Sequence, residues 1–213
     1  MMMAAWEREG PEAVREVSRH LARTLLLIAA PAAAGLALVA QPLSEVMIGE
    51  DMRAQAASIM PWIALSGLIN GFVLHYVSEA YQLSHRTDLR AWLMLIPALA
   101  NLALNAILLP WIGLMGAVYS TVACYALALL LLAGVARKLA PLSWPWRDFL
   151  KVAGACSAMA IAVRMAPSTG GMTELPMKAS VGATIYVMTA LVLDAAGARA
   201  ALQQFTSRRA RRV

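Results

Sequence analysis

Charge is what this sequence has least of. Only 14% of its residues are Asp, Glu, Lys or Arg, against roughly a quarter in soluble domains. With 61% hydrophobic residues and a mean hydropathy of +0.65, the composition excludes a soluble globular domain and predicts an all-α polytopic membrane protein. Cysteine is almost absent too. Cys124 and Cys156 lie in apolar segments without a CxxC pair or a neighbouring His, which excludes a disulfide framework and a metal site, and they read as small packing residues. GxSxG, HExxH, P-loop and GxGxxG patterns are missing, as is any acidic cluster able to hold Mg²⁺, so neither catalysis nor a cofactor is expected. The N-terminus lacks the purely basic region and cleavage site of a signal peptide, because Glu7, Arg8, Glu9 and Glu12 stand there, and no cleavage is expected.

What the sequence has in quantity is apolar runs long enough for a ~30 Å hydrocarbon core. Six spans are predicted, at about 24–44, 59–83, 91–110, 112–136, 149–166 and 177–197. The fifth is the weakest, since Lys151 and Arg164 bracket its short apolar middle and must snorkel outward. Residues 11–23 precede the first span as an interfacial amphipathic helix with Val14, Val17 and Leu21 on one stripe. This divides the chain into a cytoplasmic amphipathic segment (1–23), a four-helix portion (24–138), two further helices with an aromatic linker (139–198) and a basic cytoplasmic tail (199–213). Pro31 and Gly35 are expected to kink the first span. Pro110 is expected to break the third ahead of a tight turn at Trp111, Gly113 and Gly116.

The formal net charge of +6 and pI near 9.8 would suit a nucleic-acid partner, but the basic residues lie between spans and at the tail, where they orient helices. No nucleic acid is therefore expected. Of the eighteen Lys and Arg residues, fifteen fall in one of the two alternating sets of flanking segments, and only Arg53, Arg164 and Lys178 in the other. That asymmetry predicts a multi-pass bilayer protein with both termini cytoplasmic.

Polar residues inside the spans are the candidate site. Asn101 and Asn105 stack on one helical face amid Leu, Ala and Ile, as interhelical glue or as the wall of a cavity. The second span carries Asn70, His75 and Glu79 in its far half, with His75 and Glu79 on one face. A site at these positions and a water-reached helix end are both compatible with them. Gly67 and Gly71 have the spacing that lets another helix approach closely. Arg86 and Arg90 could attract a lipid diphosphate, though orientation of the helices already accounts for them.

Several strings together carry a family resemblance. They are Pro31 to Leu36 followed by Pro42, Leu43 and Gly49; Tyr81, Gln82, Leu83 and Arg86; and above all Asn101-Leu-x-Leu-Asn105, Leu109-Pro110, Gly113, Gly116-Ala117, Thr121 and Tyr125. Over residues 11–138 the chain resembles the C-terminal portion of the polysaccharide or lipid-linked oligosaccharide flippases of the multidrug/oligosaccharidyl-lipid/polysaccharide exporter superfamily. Members have about twice as many spans in two lobes, so the resemblance implies one lobe plus two trailing helices. It also implies a bacterial inner-membrane location, an undecaprenyl-diphosphate-linked oligosaccharide as substrate, and either a missing N-terminal lobe or a second copy as partner. A drug/cation exporter of the same superfamily and a non-transporting scaffold of a polysaccharide assembly complex are the alternatives.

Overall fold

A computed structural model describes residues 10–168 and 171–200. The chain is all-α among these residues. Helix α1 spans Pro11–Leu38, α2 Ala40–Met47 and α3 Glu50–Phe72. A π-helical turn at Val73–Val77 joins α3 to α4, Ser78–Leu83. Next come α5, Thr87–Ile112, α6, Leu114–Leu139, α7, Trp146–Met165, and α8, Glu174–Val192. Short 3₁₀ turns occupy Gly171–Thr173 and Ala195–Gly197.

The long helices stand in a row, in the order α5, α6, α3, α1, α7, α8, each packed chiefly on its neighbours. α1, the helix of the small residues Ala30, Ala33, Ala34, Gly35 and Ala37, lies in the middle, where a narrow helix lets neighbours approach on both sides. Five helical segments are long and apolar enough to cross a membrane: α1, the continuous α3-to-α4 segment Glu50–Leu83, α5, α6 and α8. The protein is a polytopic membrane protein. The predicted fifth span, α7, has 20 residues but carries Arg147, Asp148, Lys151 and Arg164. It nonetheless runs level with α1: Asp148 bonds Arg23 near one end, and Met159 lies opposite Gly35 toward the other. At ~1.5 Å per residue its length is about 30 Å, the thickness of a hydrocarbon core.

Several boundaries differ from those expected. The amphipathic segment and the first span are one unbroken helix, and the buried stripe of its head is Val14, Ser18 and Ala22 rather than Val14, Val17 and Leu21. Ser18 is drawn inward because its hydroxyl accepts from the Ser143 backbone N–H (3.1 Å) and donates to the Arg15 carbonyl (2.9 Å). α1 also runs on through Pro31 and Gly35 and breaks only at Val39. Pro31 has no N–H for the Leu27 carbonyl one turn back; the Tyr186 hydroxyl of α8 supplies the missing donor at 2.9 Å. Tyr186→Phe should therefore lower the midpoint of unfolding in detergent by the worth of one intramembrane hydrogen bond, about 1 kcal/mol. An unchanged midpoint would mean that carbonyl has found water.

Likewise α5 does not break at Pro110 but continues to Ile112. The chain reverses at Gly113, whose φ of 63° falls where a side chain is strained. A proline in the last turn removes a single bond near a helix end, whereas Gly113 permits the reversal itself. At Gly116, α6 presses on α5, since a Cβ there would stand 2.4 Å from the Leu108 carbonyl oxygen. Gly67 and Gly71 behave otherwise: a Cβ on either would meet nothing within 4 Å, so no helix among the described residues uses that spacing. The predicted loop up to about 57 is also largely helical, because α3 begins at Glu50 with Glu50 and Asp51 favouring its N-terminus.

Candidate functional site

The polar face predicted on the third span is assembled by the α5–α6 hairpin. Gly113 and Gly116 let the two helices close on one another, and this brings Ser120 of α6 against Asn105 of α5. The Ser120 hydroxyl donates to Asn105 Oδ1, and Asn105 Nδ2 donates to Asn101 Oδ1 at 3.0 Å. Ser120 is fully buried, and its hydroxyl is also 2.9 Å from the Ala117 carbonyl. Asn105 thus has its amide satisfied within the hairpin.

Asn101 stands one turn further along and borders a cavity of about 270 Å³ between the two helices, together with Pro97, Thr121, Cys124 and Tyr125. The Thr121 hydroxyl donates back to the Ala117 carbonyl at 2.8 Å. The lining mixes an amide, a hydroxyl and a phenol with apolar walls, so it can hydrogen-bond a neutral polar group, and it offers no charged group to an ion.

The other predicted residues do not converge there. His75 lies within the π turn and is exposed with Leu74, while Glu79, just beyond the turn, is half-buried. The turn is held by the Ser78 hydroxyl, which donates to the Val73 carbonyl at 2.6 Å. Neither Asn70, His75 nor Glu79 lines the α5–α6 cavity. Arg86 is exposed where the chain enters α5; Arg90, one turn on, is half-buried with its Nε out of contact with solvent and without a hydrogen bond among the described residues.

Two ionic contacts were not visible in the sequence. The Arg23 guanidinium donates to Asp148 Oδ2 at 2.7 Å, while Asp148 Oδ1 accepts from the Ala196 backbone N–H at 3.2 Å, tying α1, α7 and the turn after α8 together. In α8, Lys178 and Glu174 pair one turn apart with 13% and 7% of their side chains exposed. Lys178 also borders an apolar cavity of about 300 Å³ with Pro31, Gly35 and Tyr186. Five basic residues make contacts that place them at opposite ends of the helices. Arg19, Arg23 and Lys151 contact the 143–148 and 194 segments at one end. Arg53 contacts the Ile48 carbonyl, and Lys178 pairs in the first turns of α8, at the other. The leading residues 1–9 and most of the basic tail, 201–213, lie outside the described residues.

Compared with known proteins, the chain matches no family model, no curated protein and no solved structure.

Proposed function

We propose that this chain is the C-terminal lobe of a flippase that carries an undecaprenyl-diphosphate-linked oligosaccharide across the bacterial inner membrane, with both termini cytoplasmic, and that it acts as a transporter part rather than as an enzyme. The observation that carries the reading is the longest of the resembling strings. Its polar members Asn101, Asn105, Thr121 and Tyr125 gather on one hairpin, and three of them, all but Asn105, border one cavity. In this reading Asn105 holds α5 to α6 through Ser120, and Asn101 offers its amide to sugar hydroxyls. Alternating access then requires a second bundle packed against this one. α5 is placed to meet it, as the edge of the row with Pro97 its one buried residue.

The two amides separate the roles. In cells supplied with the complementary lobe, Asn101→Leu, which removes one side-chain bond, should reduce surface polysaccharide severalfold and well beyond its fall in protein level, whereas Asn105→Leu should chiefly lower the level itself, the loss of two side-chain bonds costing on the order of 1 to 2 kcal/mol. If the Asn101 variant loses polysaccharide only in proportion to protein, both amides are helix glue and the cavity has no substrate role.

A further inference from the structure

One face of α1 is made of alanines. Ala30, Ala33, Ala34 and Ala37 recur at helical spacing, so nothing beyond a Cβ rises from that face, while α3 and α7 stand as walls on either side. The result is an apolar trough of about 490 Å³. It runs along α1 from Leu26 to Ala37, about 16 Å at the helical rise, and opens at the surface past Leu65 and Phe149, each 39% exposed. Its far end reaches Pro61, and its near end is closed by Phe72 and Trp144.

Trp144 has a second side. With Leu129 it also lines an adjoining cavity of about 360 Å³, whose other walls include Tyr76, Trp146 and Arg137. Its ring packs against Phe72, Tyr76, Trp146 and Phe149. Yet its Nε1–H is shut off from solvent and makes no hydrogen bond among the described residues, the state that buried donors avoid. Arg137 is exposed and forms no ion pair among those residues. An alkyl-sized trough thus leads to an unpaired indole donor and an unpaired guanidinium, at the end of the bundle where Arg19, Arg23 and Lys151 also lie.

We infer that this is a binding site for an anionic glycerophospholipid of the surrounding bilayer. One acyl chain lies on the alanine floor between α3 and α7; the phosphodiester pairs with Arg137 and, once the Trp144 indole turns its edge outward, accepts its N–H. The charge complementarity is that of basic pockets between membrane helices for anionic head groups, and the aromatic cluster has the amphipathic character suited to the headgroup level. The site is independent of the transport reading, because it uses no residue of the α5–α6 cavity.

The test is native mass spectrometry of the full purified chain in detergent, titrated with palmitoyl-oleoyl phosphatidylglycerol and, separately, phosphatidylcholine. The chain should hold phosphatidylglycerol in preference to phosphatidylcholine. Arg137→Gln should weaken phosphatidylglycerol binding roughly fivefold, the worth of one basic residue at a membrane surface. Arg147→Gln, which removes a nearby charge that lines neither cavity, should leave it unchanged. Ala33→Leu should block the trough. Trp144→Phe removes the unpaired donor together with the five-membered ring of the indole, so it should weaken lipid binding by more than any accompanying fall in lipid-free thermal stability explains; this variant decides the matter if Ala33→Leu fails to fold. Equal binding of the two lipids, equal losses from Arg137→Gln and Arg147→Gln, wild-type binding by Trp144→Phe, or displacement of phosphatidylglycerol by lower concentrations of a polyprenyl phosphate would each overturn the assignment.

Discussion

Asp148→Ala should destabilise the protein more than any other single truncation of a polar side chain at the basic end of the bundle, by about 2 to 3 kcal/mol. The carboxylate has 9% of its side chain exposed and joins three elements: Arg23 of α1, the first turn of its own helix α7, and the Ala196 backbone N–H beyond α8. Breaking a buried pair by removing one partner costs roughly 3 to 5 kcal/mol, but Arg23 keeps 41% of its side chain exposed and recovers part of its hydration, which lowers the figure. To this is added the orphaned Ala196 N–H, at ~1 kcal/mol or more. Asp148→Asn keeps a single oxygen, enough to accept from Ala196 or from Arg23 but not from both as the two carboxylate oxygens do, and should lose about half as much. Removing the acid also removes the favourable charge at the α7 N-terminus, a smaller contribution of ~0.5 kcal/mol. The measurement is the midpoint of unfolding in mixed micelles for wild type, Asp148→Asn and Asp148→Ala. A wild-type midpoint for the alanine variant would mean that α1 and α7 are held by apolar packing alone.

This contact also marks the limit of what could be read without coordinates. The long apolar runs announced the spans because hydropathy over about twenty residues is a property of the segment itself, and α5 and α6 accordingly lie where they were expected, whereas α1 starts at Pro11 and α8 ends at Val192. The reversal at Gly113 was legible for the same reason, as a local matter of backbone conformation. Arg23 and Asp148, by contrast, are 125 positions apart, and nothing in either neighbourhood names the other. Pro31 does not end the helix, and the donor that satisfies the carbonyl it frees, Tyr186, comes from a helix 159 positions away.

The spacing of the glycines at 67 and 71 permits a close neighbour, and among the described residues none fills it. Within the candidate site, Asn101 and Asn105 were recognisable as amides out of place in a hydrocarbon segment. Their division of labour was not, because it depends on Ser120 arriving opposite Asn105 and on Asn101 falling one turn beyond it. The π turn at Val73–Val77, on which His75 lies, has no reliable sequence signal.

The larger effect concerns transport itself. Residues 1–213 alone should move no lipid-linked oligosaccharide. Alternating access works by rocking one bundle against another around a site near their interface, and the described helices form a single row in which α5 packs on α6 and leaves its outer surface free. With the outer surface of α5 uncovered, the chain should also be scarcer in the membrane than when a second bundle packs on it.

The most direct measurement is to express residues 1–213 in a flippase-null bacterial strain, with and without a separately encoded N-terminal lobe, and to assay surface polysaccharide and chain abundance together. The half-transporter account expects no polysaccharide from the chain alone, and expects both polysaccharide and abundance to recover when the second lobe is supplied. Polysaccharide restored by the 213 residues alone would contradict it, and would mean that two copies of this chain build the cavity between them.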